Sequence, residues 1–417
     1  MKFFQNAWWV VVAAVIGQIV SSGPLLQFSF GVFLKPLADE FGADRATLSF
    51  AVLVAFTAIG FSSLAVGRLI DRYGIRLVVL SAIVLFALSV AALGLSPSSP
   101  YAFIALYGIA GLFGAGQSPP PYAKAVAASF DTRRGLALGI AMTGVGLGAI
   151  LLPQLAQFLI ANMGWRNAYI ALSIVILVIA FPVVYLLLRD PVAAIQTKKE
   201  GEIAGVTGKE AVRSPQFWFM IAVFFALVCV SAGVIAHIVP ILTDRGISAQ
   251  VAAGAISAAG AALIVGRLGA GYLLDRIFAP YVAFIFVFLS IVGLGLLLLP
   301  ATPGLAIAAT ICIGLALGAE VDLIGFMIPR YFGFRSFGEI YGYMFSAFTF
   351  GSGLGPFAMG LSFSLTGSYT IAIIGLGAAL LLSSLLFLLL GPYRYNHLVR
   401  SDFTTPVGLK IEVQNDR

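Results

Sequence analysis

The segments "GRLIDRYGIR" at residues 67–76 and "GYLLDRIFAP" at residues 271–280 carry one pattern, Gly-x-x-x-Asp-Arg, at an offset of 204 residues. Each copy closes an apolar run. Around them the correspondence widens: Phe130, Gly135, Gly139 and Gly164 recur as Phe332, Gly338, Gly342 and Gly367 at offsets of 202 to 203, and Gly146-Leu147-Gly148 recurs as Gly353-Leu354-Gly355 at 207. The chain therefore reads as two copies in the same orientation. For a membrane protein this arrangement predicts a pseudo-twofold axis along the bilayer normal and a binding site between the halves.

Composition supplies the membrane. Of 417 residues, 60% are hydrophobic and 10% charged, against about 45–50% and about 25% in soluble proteins. An ordinary soluble enzyme is excluded. Runs separated by Gly, Pro and charge predict twelve helices at 4–34, 46–69, 77–96, 101–128, 135–161, 167–188, 215–243, 249–274, 280–300, 304–329, 337–366 and 370–390, each near the roughly 20 residues that a bilayer requires. The first run begins directly after Met1-Lys2 without a small-residue cleavage site and reads as a spanning helix, not a removable signal. The gap that follows the sixth helix holds Asp190, Lys198, Lys199, Glu200, Glu202, Lys209 and Glu210 and reads as a solvated linker. The expected organisation is an all-α membrane protein with an N-terminal six-helix bundle (1–188), a cytoplasmic linker (189–213), a C-terminal six-helix bundle (214–391) and a cytoplasmic tail (392–417).

The net charge of +7 has a topological explanation. With both ends inside, 19 Lys and Arg fall on the cytoplasmic side and only Lys35, Arg45, Arg166 and Arg245 on the outer side, as the retention of cations in cytoplasmic loops requires. Inner and outer faces are named below by this count. No basic run interleaves with aromatics, so no nucleic-acid partner is expected. Cys229 and Cys312 lie inside apolar runs and read as packing residues, with no metal site and no cofactor. The glycine series Gly144-Gly146-Gly148 and Gly351-Gly353-Gly355 follow no strand, so they predict close packing of the fifth and eleventh helices, not nucleotide binding. No GxxxxGK[ST], HExxH or GxSxG sequence occurs.

"GRLIDRYGIR" resembles the signature loop of the major facilitator superfamily. Gly67 is expected to permit close helix approach, and Asp71 to cap the next helix and pair with an Arg of the loop, holding one gate conformation. Gly67, Asp71 and Arg72, with Gly271, Asp275 and Arg276 of the second copy, are the gating candidates. Within that superfamily, "FSFGVFLKPLADEFG" (28–42), "GWRNAY" (164–169), "GRLGAGYLLDR" (266–276) and the segment "RYFG" to "GSGLGP" (330–356) resemble the bacterial branch of the monocarboxylate transporter and oxalate/formate exchanger group. The resemblance implies that an Arg of the eighth helix binds the substrate carboxylate, and Arg267 is the match. Animal relatives carry an acid one turn before this Arg and a Lys in the first helix, where this chain has Leu263 and Gln27-Phe28.

Arg267 is the one guanidinium inside a span, eight residues or about 12 Å of helix from Asp275. Its planar fork suits a carboxylate; a structural ion pair is the competing reading. Glu320 and Asp322, two residues apart on the tenth helix, point about 200° from each other and cannot both face one substrate. One cation and two acids leave one acid over, which makes them candidates for proton coupling, with Glu320 favoured because its repeat mate is Gln117. The alternative is that one acid braces a helix broken near Gly314, Gly318 and Gly325. Gln117 and Tyr122 flank a proline run that fits only where it lines a cavity or is buried, so they are substrate-contact candidates, with a plain kink as the rival; Tyr341 and Tyr343 are weaker ones. His237 reads as a gate or hydrogen-bonded core residue, with proton carrier as the rival. Lys124 reads as snorkelling to the inner face.

The function expected is proton-coupled symport of a small monocarboxylate of the lactate or pyruvate kind by alternating access. The partners are the monocarboxylate anion, protons and the lipid bilayer, and the carrier is expected as a monomer in the bacterial cytoplasmic (inner) membrane. The alternatives are an organic-anion exchanger of the oxalate/formate type and an exporter of hydrophobic compounds; a non-transporting membrane sensor is the reading from outside the carriers.

Overall fold

The computed structural model describes residues 6–130, 134–189, 205–274, 276–300, 302–333 and 335–395. These residues are almost entirely helical. Among them, nine helical segments are long and apolar enough to cross a bilayer, and one of these, Leu136–Leu187, holds two spans. The break inside it is Gly164, with φ of 77°, and its repeat mate Gly367 takes φ of 69° between the eleventh and twelfth spans. Both turns need the left-handed backbone that glycine adopts without strain, so the repeat is visible in the dihedral angles.

The spans follow the expected order. The second is Arg45–Tyr73, the third Ile75–Gly94, the seventh Pro215–Thr243, the eighth Ala249–Leu274, the ninth Ala279–Leu298, the tenth Pro303–Phe332 and the eleventh Phe337–Thr366; the twelfth is Thr370–Ser384 extended by Leu385–Leu389. Two spans are interrupted. The first is built from Trp8–Ile19, a π-helical turn at Pro24–Phe28 and Phe30–Phe41, where a continuous helix was expected. The fourth is Pro100–Gly114, a tight turn at Ala115–Gln117 and Pro119–Ser129. Its proline run restarts a helix at Pro119, where the missing N–H groups are not needed. The tenth span is continuous through Gly314, Gly318 and Gly325, so no acid braces a break there.

Each half has its own apolar core, and small residues bring the halves together. A Cβ on Gly144 or Gly148 would strike the first-span carbonyls of Val15 and Ile19, whereas one on Gly146 would strike Ile264 of the eighth span. The second copy repeats the division: Gly351 and Gly355 meet Val228 and Cys229 of the seventh span, and Gly353 meets Leu53 of the second. The outer glycines of each triplet thus pack within a half and the middle one packs across.

The linker and tail differ in part from the solvated segments expected. Thr207 and Glu210 form a reciprocal cap on the short helix Gly208–Val212, Val206 N–H donates to Phe332 O at 2.8 Å and Tyr395 N–H to Arg330 O at 2.8 Å. Val206 and Ala211 supply apolar surface to the C-terminal core, so residues 205–213 and 392–395 dock on that half. Residues 190–204 and 396–417 lie outside the described residues.

The outer face is sealed. Arg45 donates from Nη1 and Nη2 to the two Asp244 oxygens at 2.6 and 3.1 Å, and Lys35 reaches the same carboxylate at 2.6 Å. Asp244 is partly buried, which opposes its ionisation, but Arg45 and Lys35 outweigh this and hold its carboxyl below the usual range. The pair therefore has full strength above the ordinary aspartate value of about 3.9 and weakens only as pH falls through the lowered one. Mild external acid leaves the seal closed. Asp244→Asn is expected to open it: a cysteine at Ser49, fully buried in the seal, should label from outside about ten-fold faster once Cys229 and Cys312 are replaced. An unchanged rate would assign the seal to packing alone.

Candidate substrate-binding site

With the outer face shut, a cavity of about 460 Å³ lies between the halves. The two helix breaks shape its N-terminal wall. The π turn of the first span is pinned by Tyr107, whose hydroxyl donates to Leu26 O at 2.8 Å, and by Ser22 donating to Gly114 O at 3.1 Å. This pinning brings Ser21, Ser22, Gln27 and Phe28 to the wall, and the fourth-span turn adds Ser118 through Pro120. The C-terminal wall comes from the eighth, tenth and eleventh spans, with Arg267 as the one charged residue lining the cavity among the described residues.

Arg267 is held on two sides. Its Nε is 3.2 Å from Asp322 Oδ2, and its Nη1 donates across the halves to Met142 O at 3.0 Å. The guanidinium side chain is 10% exposed and the Asp322 side chain 32%. Close contact of the eighth and tenth spans makes this pairing possible: Gly314 and Gly318 accept the backbones of Ala259 and Leu263, where any Cβ would collide. Nη2 has no protein acceptor among the described residues. The arrangement provides a cation at the cavity wall whose counter-ion occupies only part of its donor fork.

Glu320 points elsewhere. It is fully buried, its Oε1 accepts from Ser231 of the seventh span at 3.1 Å, and its Oε2 has no partner among the described residues. The divergence of the two acids expected from helix geometry is what the structure has: Asp322 lies beside Arg267, and Glu320, the acid favoured for proton coupling, lies apart from it.

Of the expected substrate contacts, Arg267 and Tyr341 line the cavity. Gln117 and Tyr122 do not. Both are fully buried inside the N-terminal half, their polar side-chain atoms without a partner among the described residues, with the Tyr122 hydroxyl against Gly17. The irregular turn does reach the cavity, but through Ser118, Pro119 and Pro120. Tyr343 faces out, 43% exposed, and donates to Glu339 Oε1 at 2.7 Å. Polar wall residues that went unpredicted include Ser21, Ser22, Gln27, Ser118 and Thr349. The signal for the first three was "SSGP" at 21–24, a helix-breaking run inside an apolar span.

The gating residues divide by face. His237 is fully buried in the outer seal. Its Nε2 lies 2.9 Å from Pro356 O and 3.0 Å from Ser49 Oγ, and its Nδ1 lies 3.1 Å from Tyr369 Oη. A carbonyl can only accept, so Nε2 carries the proton and Tyr369 donates to Nδ1. Tyr369 in turn accepts from Arg45 Nη1 at 2.6 Å. At the inner face a Cβ on Gly67 or Gly271 would meet nothing within 4 Å among the described residues, so the expected close approach is not made by them in this conformation. The third span starts after Gly74, whose φ of 88° suits glycine; the side chain of Asp71 lies outside the described residues. Arg72 lies over the Tyr73 ring and Arg276 over the Tyr272 ring. Asp275 lies outside the described residues.

The model of the Major Facilitator Superfamily matches residues 12–356. The MFS-type transporter YcxA of Bacillus subtilis is 30% identical over 306 residues, covering 70% of this chain and 71% of its own. Monocarboxylate transporter 13 of Bos taurus is 26% identical over 90% of this chain and 87% of its own, and the oxalate:formate antiporter of Oxalobacter formigenes 28% identical over 59% and 58%. Among solved structures, an inward-facing bacterial homologue of the lysosomal transporter Spinster superposes with a TM-score of 0.69 at 16% identity, over 93% of this chain and 97% of that one.

Proposed function

The chain belongs to the Major Facilitator Superfamily and is a secondary transporter, not an enzyme; from that premise we propose that it is a proton-coupled symporter of a small monocarboxylate such as lactate or pyruvate. One observation carries the reading: among the described residues, the single cation lining an otherwise uncharged cavity wall is paired with one acid, Arg267 with Asp322 at 3.2 Å. A substrate carboxylate competes with Asp322 for the guanidinium. Protonation of Asp322 removes the competitor and leaves the fork to the substrate, so anion and proton load together. Release of either on the far side weakens the hold on the other, which couples their movements by alternating access of the two halves.

The same count limits the cargo. A dianion in a low-dielectric cavity needs two cationic partners, since each uncompensated charge costs several kcal/mol. The eleventh span contains no Lys, Arg or His. Operating as a monomer in the bacterial cytoplasmic membrane with both termini inside, the carrier would run in the direction set by its gradients. Purified protein in liposomes with an alkaline interior should accumulate labelled lactate or pyruvate above equilibrium, with weak inhibition by oxalate or succinate. Gradient-independent exchange in which oxalate competes best would overturn the symport reading in favour of an organic-anion exchanger.

A further inference from the structure

The eleventh span presents Phe337, Tyr341, Phe345 and Phe348 to the cavity at spacings of four, four and three residues, the stripe of one helix face. The rings are aligned. Tyr341 and Phe345 have centroids 6.1 Å apart at 11°, Phe345 and Phe348 5.9 Å apart at 16°, and Phe337 and Tyr341 5.8 Å apart at 30°. None of the four is fully buried, although each lies in the protein interior between the halves. Phe28 and Phe56 line the same cavity from the N-terminal half. At 460 Å³ the space is in the range of sites for drug-sized ligands, and a lactate-sized acid would leave most of it, and most of this ring surface, to water.

Tyr341 and Arg267 line the same cavity, so the carboxylate receptor and the ladder face one space. Phe345 and Phe348 continue from there toward the sealed outer end. An acid held at Arg267 would lay its tail along those faces. Aromatic rings attract other rings in offset or edge-on geometry beyond what apolar area alone gives, and a row of aligned rings lining the cavity is suited to a flat, aromatic tail.

Resting on the monocarboxylate reading above, we propose that the preferred substrates are monocarboxylates carrying an aromatic ring, of the aryl-lactate and aryl-pyruvate class, with the ring stacked on the Tyr341–Phe345–Phe348 ladder and the carboxylate on Arg267. In proteoliposomes of the full chain, phenyllactate and phenylpyruvate should show about ten-fold lower KM than lactate and pyruvate under the same proton gradient. Cyclohexyl-lactate, of similar size but without a π face, should fall between them. Phe345→Leu, which keeps apolar bulk, should reduce the phenyllactate-to-lactate preference at least about five-fold, a ratio insensitive to the amount of folded protein. Equal or better handling of lactate than phenyllactate would overturn the aromatic assignment and leave the monocarboxylate reading intact, as would a preference that Phe345→Leu does not change. Transport of 2-phenylethanol as fast as phenyllactate would overturn both, because no carboxylate would then be needed.

Discussion

Arg267→Lys should lower carboxylate uptake by about 100-fold while leaving the thermal midpoint of the purified protein within a few degrees. The size follows from what the guanidinium does at once. Its Nε faces Asp322, its Nη1 donates to Met142 O across the halves, and its Nη2 has no protein acceptor among the described residues. A lysine ammonium is a point charge on a different stem: it can meet the acid or the substrate but cannot present a planar fork to one while retaining the other. The loss should appear in binding as well as in turnover, which equilibrium binding to detergent-solubilised protein would measure. Normal transport by the lysine variant would return Arg267 to the role of a structural ion-pair partner.

Asp322→Asn should have an effect of a different kind. With the competing charge gone, Arg267 is permanently available, so substrate binding and counterflow exchange should persist and lose their dependence on pH. Accumulation driven by a proton gradient should fall to the level without a gradient. Glu320→Gln is the comparison: this carboxyl is buried against Ser231, away from the cavity wall, and its replacement should keep gradient-driven accumulation. If Asp322→Asn still accumulates substrate and Glu320→Gln does not, the coupling proton resides at Glu320 and the competition between Asp322 and the substrate is not the coupling step.

The repeat, the number of spans and Arg267 were legible because each depends on one-dimensional information: spacing between matching glycines, run length, and a lone cation in an apolar run. The pairing of Arg267 with Asp322 was not. It depends on how closely the eighth and tenth spans approach at Gly314 and Gly318, which fixes which of two divergent acids turns toward the arginine. Gln117 and Tyr122 were misplaced for a related reason. The proline run was read correctly as irregular backbone beside a cavity, but the turn presents Ser118 and the prolines and folds its larger polar neighbours into the bundle. In the first span the twelve-helix pattern concealed the break at Pro24–Phe28, because its residues are apolar enough to continue a helix on hydropathy alone. Close approach at Gly67 was an expectation about a closed inner face, whereas the structure is sealed at the other end.

The partnership of one guanidinium with one carboxylate at the cavity wall has an electrical consequence. Under the proposed coupling, the empty carrier would hold the ion pair of Arg267 and Asp322, and in the loaded carrier Asp322 would be protonated and the substrate would carry the negative charge. On that scheme both states would have zero net charge at the site, so neither direction of the conformational switch would carry charge through the bilayer's electric field. A displaced elementary charge would be worth about 2.3 kcal/mol per 100 mV, and here there is none to displace. Clamping the membrane potential with potassium and valinomycin would therefore leave uptake unchanged, the carrier would generate no current, and the accumulation ratio would follow the pH difference alone.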